Sequence, residues 1–295
     1  MLQQTRARAV LPYYERFLAR FPTVEDLARA PEPDVLACWS GLGYYFRARN
    51  LRKAAQRIVR DGAFPRDYDS IRALPGVGDY TAAAIASIAF DLPYAVLDGN
   101  VMRVIARLQN DSSDITSSRT RKRFRRVAQE LLDPLQPGRF NQALMELGAT
   151  VCLPREPLCL LCPAAAVCEA RLRGTVAELP VKLRRIAPRK IEAALVVCES
   201  GGRVLLRQRE AGSRRMAGFW ELPAREQLPG VRLRRILGSF RHTITHHQFA
   251  FTVWSGKPPK IPAAFQWFAP ADLITLPLAT TARKALRLAG FVQKL

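Results

Sequence analysis

Apolar residues recur at three-and-four spacing through the first half of the chain and at alternate positions through its last third. Val10, Tyr13, Tyr14, Phe17, Leu18 and Phe21 form one stripe, which predicts an amphipathic helix over residues 9–21. Thr23 with Asp26 three residues on gives a capping-box start for a short helix over 23–30, and Pro31 and Pro33 end it. Further helices are expected over 34–39, 44–60, 69–74, 79–90, from Asp98 through Leu108, 118–132 and 139–151. Two glycine turns punctuate this series: Ser40-Gly41-Leu42-Gly43 before Tyr44, and Pro75-Gly76-Val77-Gly78 before Asp79.

Beyond residue 190 the period changes. Residues 191–199 and 203–209 read as strands around a Gly201-Gly202 turn, with further strands over 231–240, 247–254 and 265–268 and a closing helix over 281–288. Residues 171–190 carry Arg171, Arg173, Lys182, Arg184, Arg185, Arg189 and Lys190 and two prolines, the composition of a basic linker. The expected architecture is therefore mixed: an all-α domain over 1–170, a linker over 171–190 and a small α+β domain over 191–295.

Charge changes the picture more than length does. The 46 Lys and Arg against 25 Asp and Glu give a formal charge of +21, which points to a polyanionic partner, nucleic acid being the commonest. No apolar run approaches the roughly 20 residues that cross a bilayer, and residues 1–10 hold no hydrophobic signal core. A cytoplasmic protein without membrane partners is expected, and there six cysteines read as metal or redox chemistry and not as disulfides.

Five groups of residues carry candidate chemistry. Leu74, Gly76, Val77 and Gly78 make a hairpin whose exposed amides, with the positive end of the next helix, suit a phosphate oxygen; the plainer reading is a helix-helix corner. Tyr44 follows a glycine turn and reads either as a core residue or as an aromatic wedge into a base stack. Asp98 stands at a helix N-cap, where aspartate serves capping or catalysis. Cys152, Cys159, Cys162 and Cys168 are separated by six, two and five residues, enough thiolates in one loop for an iron–sulfur cluster or a zinc ion. Only one of these spacings is the close pair that structural zinc sites use twice, which favours iron–sulfur. All three histidines, His242, His246 and His247, fall in the sequence FRHTITHHQF, a polar loop with a role or a hairpin connection with surface histidines. Arg119, Arg121, Lys122, Arg123, Arg125 and Arg126 wrap their helix and read as a solvated basic face.

LPGVG followed by TAAAI, then LDGN, then the four cysteines closely resemble the helix-hairpin-helix DNA glycosylases with a 4Fe-4S cluster, the endonuclease III superfamily. MLQQT, FPTVEDLA, GLGYYFRARNL, RFNQALMELGA and FRHT resemble its adenine DNA glycosylases of the MutY type, over nearly the whole chain. The resemblance implies excision of adenine mispaired with 8-oxoguanine or guanine in double-stranded DNA, after the adenine is flipped from the duplex. It implies a 4Fe-4S cluster on Cys152, Cys159, Cys162 and Cys168, and a monomer working at the nucleoid. It gives Asp98 the role of stabilising an oxocarbenium-like sugar, Asn100 that of arranging the site, and Gln4 and Tyr44 positions in the base stack near the lesion. Tyr80 stands where lyase-type relatives carry the lysine of a Schiff base, so base removal without strand cleavage is implied.

The C-terminal domain resembles a Nudix-like domain that reads 8-oxoguanine. Its MAGFWELP segment looks like the strand before a Nudix box, but the acidic helix that binds magnesium is absent, which argues against a nucleotide hydrolase. The matching recognition residues are Ile244, Thr245 and His246, with His242 nearby, where the family usually has Phe-Ser-His. The family's general-acid glutamate lies just upstream of MLQQT, so the expectation is a start at an internal methionine or a shortened gene, with impaired base release. The alternative is an inactive lesion-binding protein on the same scaffold.

Overall fold

The computed structural model describes residues 1–295 except 4, 6, 184–186, 188, 211, 214, 215, 245, 259 and 293–295. In chain order the helices are α1 Ala7–Arg20, α2 Val24–Arg29, α3 Glu32–Trp39, α4 Phe46–Asp61, α5 Tyr68–Arg72, α6 Asp79–Phe90, α7 Gly99–Leu108, α8 Ser118–Leu131, α9 Pro137–Glu146 and α10 Glu169–Leu172. Strands β1 Arg189–Val197, β2 Glu199–Ser200, β3 Arg203–Gln208, β4 Trp220–Glu221, β5 Arg232–Ile244, β6 His247–Lys257 and β7 Phe265–Phe268 follow, then α11 Thr280–Leu288. Among the described residues no helix is long and apolar enough to cross a membrane.

The chain packs into two compact units: residues 1–60 with 186–295, and residues 61–185. Helices α1–α4 thus group with the C-terminal strands, a division by packing that differs from the division by sequence period.

In the first unit, the apolar stripe of α1 delivers Val10, Phe17 and Phe21 to a core with Leu27, Val35, Leu36 and Trp39. Trp39 is 1% exposed and meets Phe17 edge-on at 5.8 Å. Thr23 caps α2 as its sequence implies: its hydroxyl accepts from the Asp26 amide at 3.1 Å, and the Asp26 carboxylate accepts from the Thr23 amide at 3.3 Å. A cap of this kind contributes about 1 kcal/mol. Helix α4 begins at Phe46, two residues later than expected, because Tyr44 has φ +48° and leaves the helical region.

The C-terminal strands form two sheets, one in the order β1-β6-β5 and one in which β2, β3 and β4 are joined by β7 on β3. The first expected strand splits: β1 runs parallel to β6, whereas β2 turns at Gly201-Gly202 to pair antiparallel with β3. Cys198, fully buried, marks the break. Val204, Leu206, Phe251 and Val253 meet Ala282, Ala285 and Leu286 of α11 in one core.

In the second unit, α6 and α7 carry small and β-branched residues that pack closely, with Ala83, Val101, Val104 and Ile105 around a fully buried Phe124 of α8. The N-cap of α5 is Asp67, not Asp69; its carboxylate accepts from the Ser70 amide at 2.9 Å. Helix α9 ends at Glu146 and continues as a wider turn through Val151, where the Thr150 hydroxyl takes up the Glu146 carbonyl at 2.8 Å. Gly138 lets the start of α9 lie on α6, since a Cβ there would be 2.6 Å from the Ser87 carbonyl oxygen.

Candidate functional site

The hairpin between α5 and α6 is built by its glycines and closed by charge. Val77 N–H donates to the Leu74 carbonyl at 3.1 Å, and Gly76 takes φ +79°, a conformation glycine adopts at no steric cost. Gly78 has ordinary extended angles, φ −100° and ψ 179°, and a Cβ there would meet no atom within 4 Å. Nothing inside the protein therefore requires glycine at 78; the open space lies over the N-terminal turn of α6, whose backbone N–H groups and dipole favour an anion. Asp79, the first residue of α6, accepts from Arg72 Nε at 2.5 Å and pairs with Arg125 Nη2 at 3.0 Å, joining α5 and α8 to the hairpin.

Asp98 caps α7: its Oδ1 accepts from the Val101 amide at 2.7 Å. Its Oδ2 accepts from Asn100 Nδ2 at 3.3 Å, and the Asn100 Oδ1 accepts from Arg103 Nη2 at 3.0 Å. Arg103 also donates to the Gly148 carbonyl at 2.6 Å and, through Nε, to the Cys152 carbonyl at 2.7 Å. One face of α7 thus runs Asp98, Asn100, Arg103, Arg107 from a carboxylate to the cysteine loop. Tyr80, near the start of α6, donates its hydroxyl to the Met145 sulfur at 3.2 Å. Burial, and then the negative charge of Asp98, push the Tyr80 phenol above its usual range. The phenol is thus a neutral donor in the neutral pH range.

Cys152, Cys159, Cys162 and Cys168 line one cavity with Arg107, Pro157 and Val176. Arg107 Nη1 donates to the Cys152 sulfur at 3.2 Å, and the Cys168 thiol lies 3.5 Å from the Arg107 carbonyl. The same guanidinium donates to the carbonyls of Leu153, Val176 and Leu179, yet its buried Nη2 finds no hydrogen-bond partner among the described residues. Among those residues no three His, Cys, Asp or Glu side chains converge on one point in the manner of a single-ion site.

In the first unit, Arg47 is the hub. Buried at the start of α4, it donates to the carbonyls of Met1 at 2.8 Å, of Gln3, and of Gly43 at 3.1 Å, and to the Thr5 hydroxyl at 3.1 Å. Met1, Gln3 and Thr5 and the turn bearing Tyr44 are thereby held on one side chain, while Gln4 itself lies outside the described residues. The Tyr44 ring is 43% exposed and meets Phe46 edge-on at 6.3 Å, with the Arg47 guanidinium 5.5 Å from its centroid.

The histidine segment is not a loop but a hairpin. His242 and Ile244 lie in β5, opposite Phe249 and His247 of β6, and His246 is in the turn; Thr245 lies outside the described residues. The His246 and His247 rings are 4.1 Å apart, and Phe249, Phe251 and Phe240 continue the aromatic row at 5.5 and 5.0 Å between ring centroids. Lys284 of α11 donates to the Arg241 carbonyl at 3.3 Å, and burial first, Lys284 second, push the His242 imidazole below its usual range.

Arg47, Arg103 and Arg107 went unnoticed in the sequence. Their signal is an arginine on the apolar stripe of a helix, which a fold tolerates only when buried carbonyls await its donors.

Residues 1–130 match the description HhH-GPD superfamily base excision DNA repair protein, and residues 193–288 match a NUDIX domain. Adenine DNA glycosylase of Mus musculus is 34% identical over 98% of this chain and 70% of its own length. That of Homo sapiens is 34% identical over 97% of this chain and 66% of its own. Among solved structures, a thermostable thymine-DNA glycosylase superposes on 58% of this chain and 80% of its own, with TM-score 0.52 and 29% identity.

Proposed function

The chain belongs to the adenine DNA glycosylases, a base-excision repair family, and we propose that it removes adenine mispaired with 8-oxoguanine or guanine by hydrolysing the N-glycosidic bond. The observation that carries this reading is the Asp98 carboxylate, fixed at the α7 N-terminus by the Val101 amide and the Asn100 side chain. A fixed anion beside a flipped nucleotide stabilises the positive charge that grows on the sugar as the base leaves. Arg103 hydrogen-bonds Asn100, which in turn hydrogen-bonds Asp98, so the guanidinium orients the carboxylate through the amide. The Tyr80 phenol holds the place of a lysine nucleophile and cannot form a Schiff base, leaving water to complete the reaction.

The hairpin amides over 76–78 take a backbone phosphate, Gln4 and Tyr44 enter the base stack, and His242, Ile244, Thr245 and His246 read the base opposite the adenine. In this division residues 1–170 form the glycosylase part, 171–190 a linker and 191–295 the lesion reader, in a monomer acting at the nucleoid. Four thiols around one cavity and the unpartnered Arg107 Nη2 support a 4Fe-4S cluster, whose net negative charge that guanidinium would meet. Held by the four cysteines, such a cluster would crosslink the loop over 152–168 to itself, with Arg107 of α7 beside it. Stoichiometric zinc without acid-labile sulfide in the purified protein would overturn this assignment.

Asp98→Asn tests the central role. Asparagine caps a helix about as well as aspartate, so the melting temperature holds while single-turnover adenine release drops about 10²-fold or more. A drop in stability with unchanged release would reduce Asp98 to a cap. A second reading has one observation in its favour: the groups hydrogen-bonded around Asp98 among the described residues include no second carboxylate to protonate the adenine. Tight, mispair-selective binding with no base release would establish that reading, a lesion binder on the same scaffold.

A further inference from the structure

The turn between α3 and α4, residues 40–45, is tied down by the C-terminal strands and helix. Phe219 immediately precedes β4, yet its fully buried ring belongs to the core of α1–α4 and lies 4.1 Å from the Tyr45 ring. The Tyr45 hydroxyl accepts from the Gly41 amide at 3.2 Å and shares a hydrogen bond with Thr280 of α11 at 3.3 Å. Ser40 Oγ donates to the Leu278 carbonyl at 2.9 Å and accepts from Arg283 Nη2 at 3.0 Å. Both ends of the turn are therefore fixed by residues some 175–240 positions away, as the separations of these contacts require.

In the middle of the turn the backbone is held from within the helices, the Gly43 and Tyr44 carbonyls accepting from Arg47 at 3.1 and 3.4 Å, while the Tyr44 ring is left outside. Tyr44 is exposed and has φ +48°, a left-handed conformation that a bulky side chain keeps only where its surroundings over-determine it. Arg47 holds the carbonyls of this turn, but the direction in which residue 44 leaves it is set by its flanks, Ser40 and Tyr45, which the C-terminal residues fix.

We propose that Phe219, Thr280 and Arg283 are positioning residues for Tyr44, so that the C-terminal domain aims the aromatic wedge as well as carrying the lesion-reading hairpin. This rests on the reading that Tyr44 enters the base stack. The MAGFWELP segment, having no magnesium-binding helix after it, then has a mechanical use: its Phe219 is a plug in the helical core.

The test places 2-aminopurine beside the mispair and measures the fluorescence rise when protein unstacks it. Tyr44→Ala and Phe219→Ala are each expected to cut the rise about fivefold, and the double variant to lose no more than Tyr44→Ala alone, as coupled residues do. Phe219→Leu restores most of the signal, and affinity for fully paired duplex, carried by the hairpin over 74–78, stays within about twofold. Where Phe219→Ala lowers the melting temperature, Thr280→Val interrogates the same brace with the apolar core intact. Additive losses in the double variant, or wild-type signal in both Phe219→Ala and Thr280→Val, overturn the proposal. Wild-type signal in Tyr44→Ala overturns the wedge reading itself, and the brace with it.

Discussion

Gly148 lies against Asn100 so closely that a Cβ on Gly148 would stand 2.7 Å from the Asn100 Cβ. Arg103 donates to both residues, to the Gly148 carbonyl at 2.6 Å and to Asn100 Oδ1 at 3.0 Å, so glycine, asparagine and arginine form one contact. Gly148→Ala pushes Asn100 away from Asp98. Since a misplacement of about 1 Å costs roughly 10²-fold in rate, adenine release is expected to fall by that order while duplex affinity changes little. Quench-flow or gel-based single-turnover kinetics beside fluorescence anisotropy separates the two; equal losses in both would point to general unfolding instead.

The two hairpin glycines should respond differently to alanine. Gly76→Ala forces a side chain into φ +79° and costs about 1–2 kcal/mol of stability. Gly78→Ala meets ordinary angles and open space, so urea unfolding shifts by less than about 0.5 kcal/mol. Its Cβ instead intrudes on the anion, and duplex affinity is expected to weaken about tenfold, the loss of one good charge-assisted contact. Unaltered binding by Gly78→Ala would remove the hairpin from the DNA interface.

Arg47→Lys keeps the charge and loses the fork. A single ammonium cannot reach the carbonyls of Met1, Gln3 and Gly43 and the Thr5 hydroxyl together. Destabilisation of about 3 kcal/mol is expected, within the range for breaking a buried hydrogen-bond network. The segment 1–5 should also become an early site of proteolytic cleavage. A lysine variant with wild-type melting and cleavage pattern contradicts the hub.

The His242 imidazole is pushed below 6.5 by burial and, less, by Lys284. The sign follows: above 6.5 the residue is neutral folded and unfolded, and as pH falls below 6.5 the unfolded chain takes up the proton first, so stability is lost until the lowered folded value is passed. Asp26, Asp67, Asp111 and Asp114, also lowered from 3.8, act only as pH nears that value, outside this window. Two other shifted groups act nearby: the Met1 amino group, lowered from 8.0 by burial, loses stability from higher pH, and Glu221, raised from 4.5 by burial, gains it on acidification. The test is therefore the difference between variants: His242→Gln should lose less stability than wild type as pH falls below 6.5. An unchanged slope in the variant assigns the effect to other groups.

What was legible in the sequence was what repeats or stands alone. The stripe of α1, the Thr23 capping box and Asp98 at the start of α7 are local patterns, and local geometry made them. The four cysteines announced their cavity by spacing. Asp67 was passed over for Asp69 because both precede an apolar run and only the turn's angles choose between them. The histidine segment read equally as a polar loop or as a hairpin connection, because its polar residues conceal the alternation of β5 and β6 that decides for the hairpin. Long-range choices were invisible in principle: that Arg107 ends on Cys152, or that residue 219 fills a core made by residues 10–55, depends on chain crossings that no window of neighbours encodes.

Phe219 has a consequence for how the protein is made. Residues 61–185 are finished as a compact unit when the ribosome has passed them, but residues 1–60 must wait for the C-terminal segment. Until residue 219 emerges, the seat of its ring beside Tyr45 is bare apolar surface on the nascent chain. A product cut short before that point displays the same surface permanently, so chaperones and proteases have a physical mark by which to sort complete copies from incomplete ones.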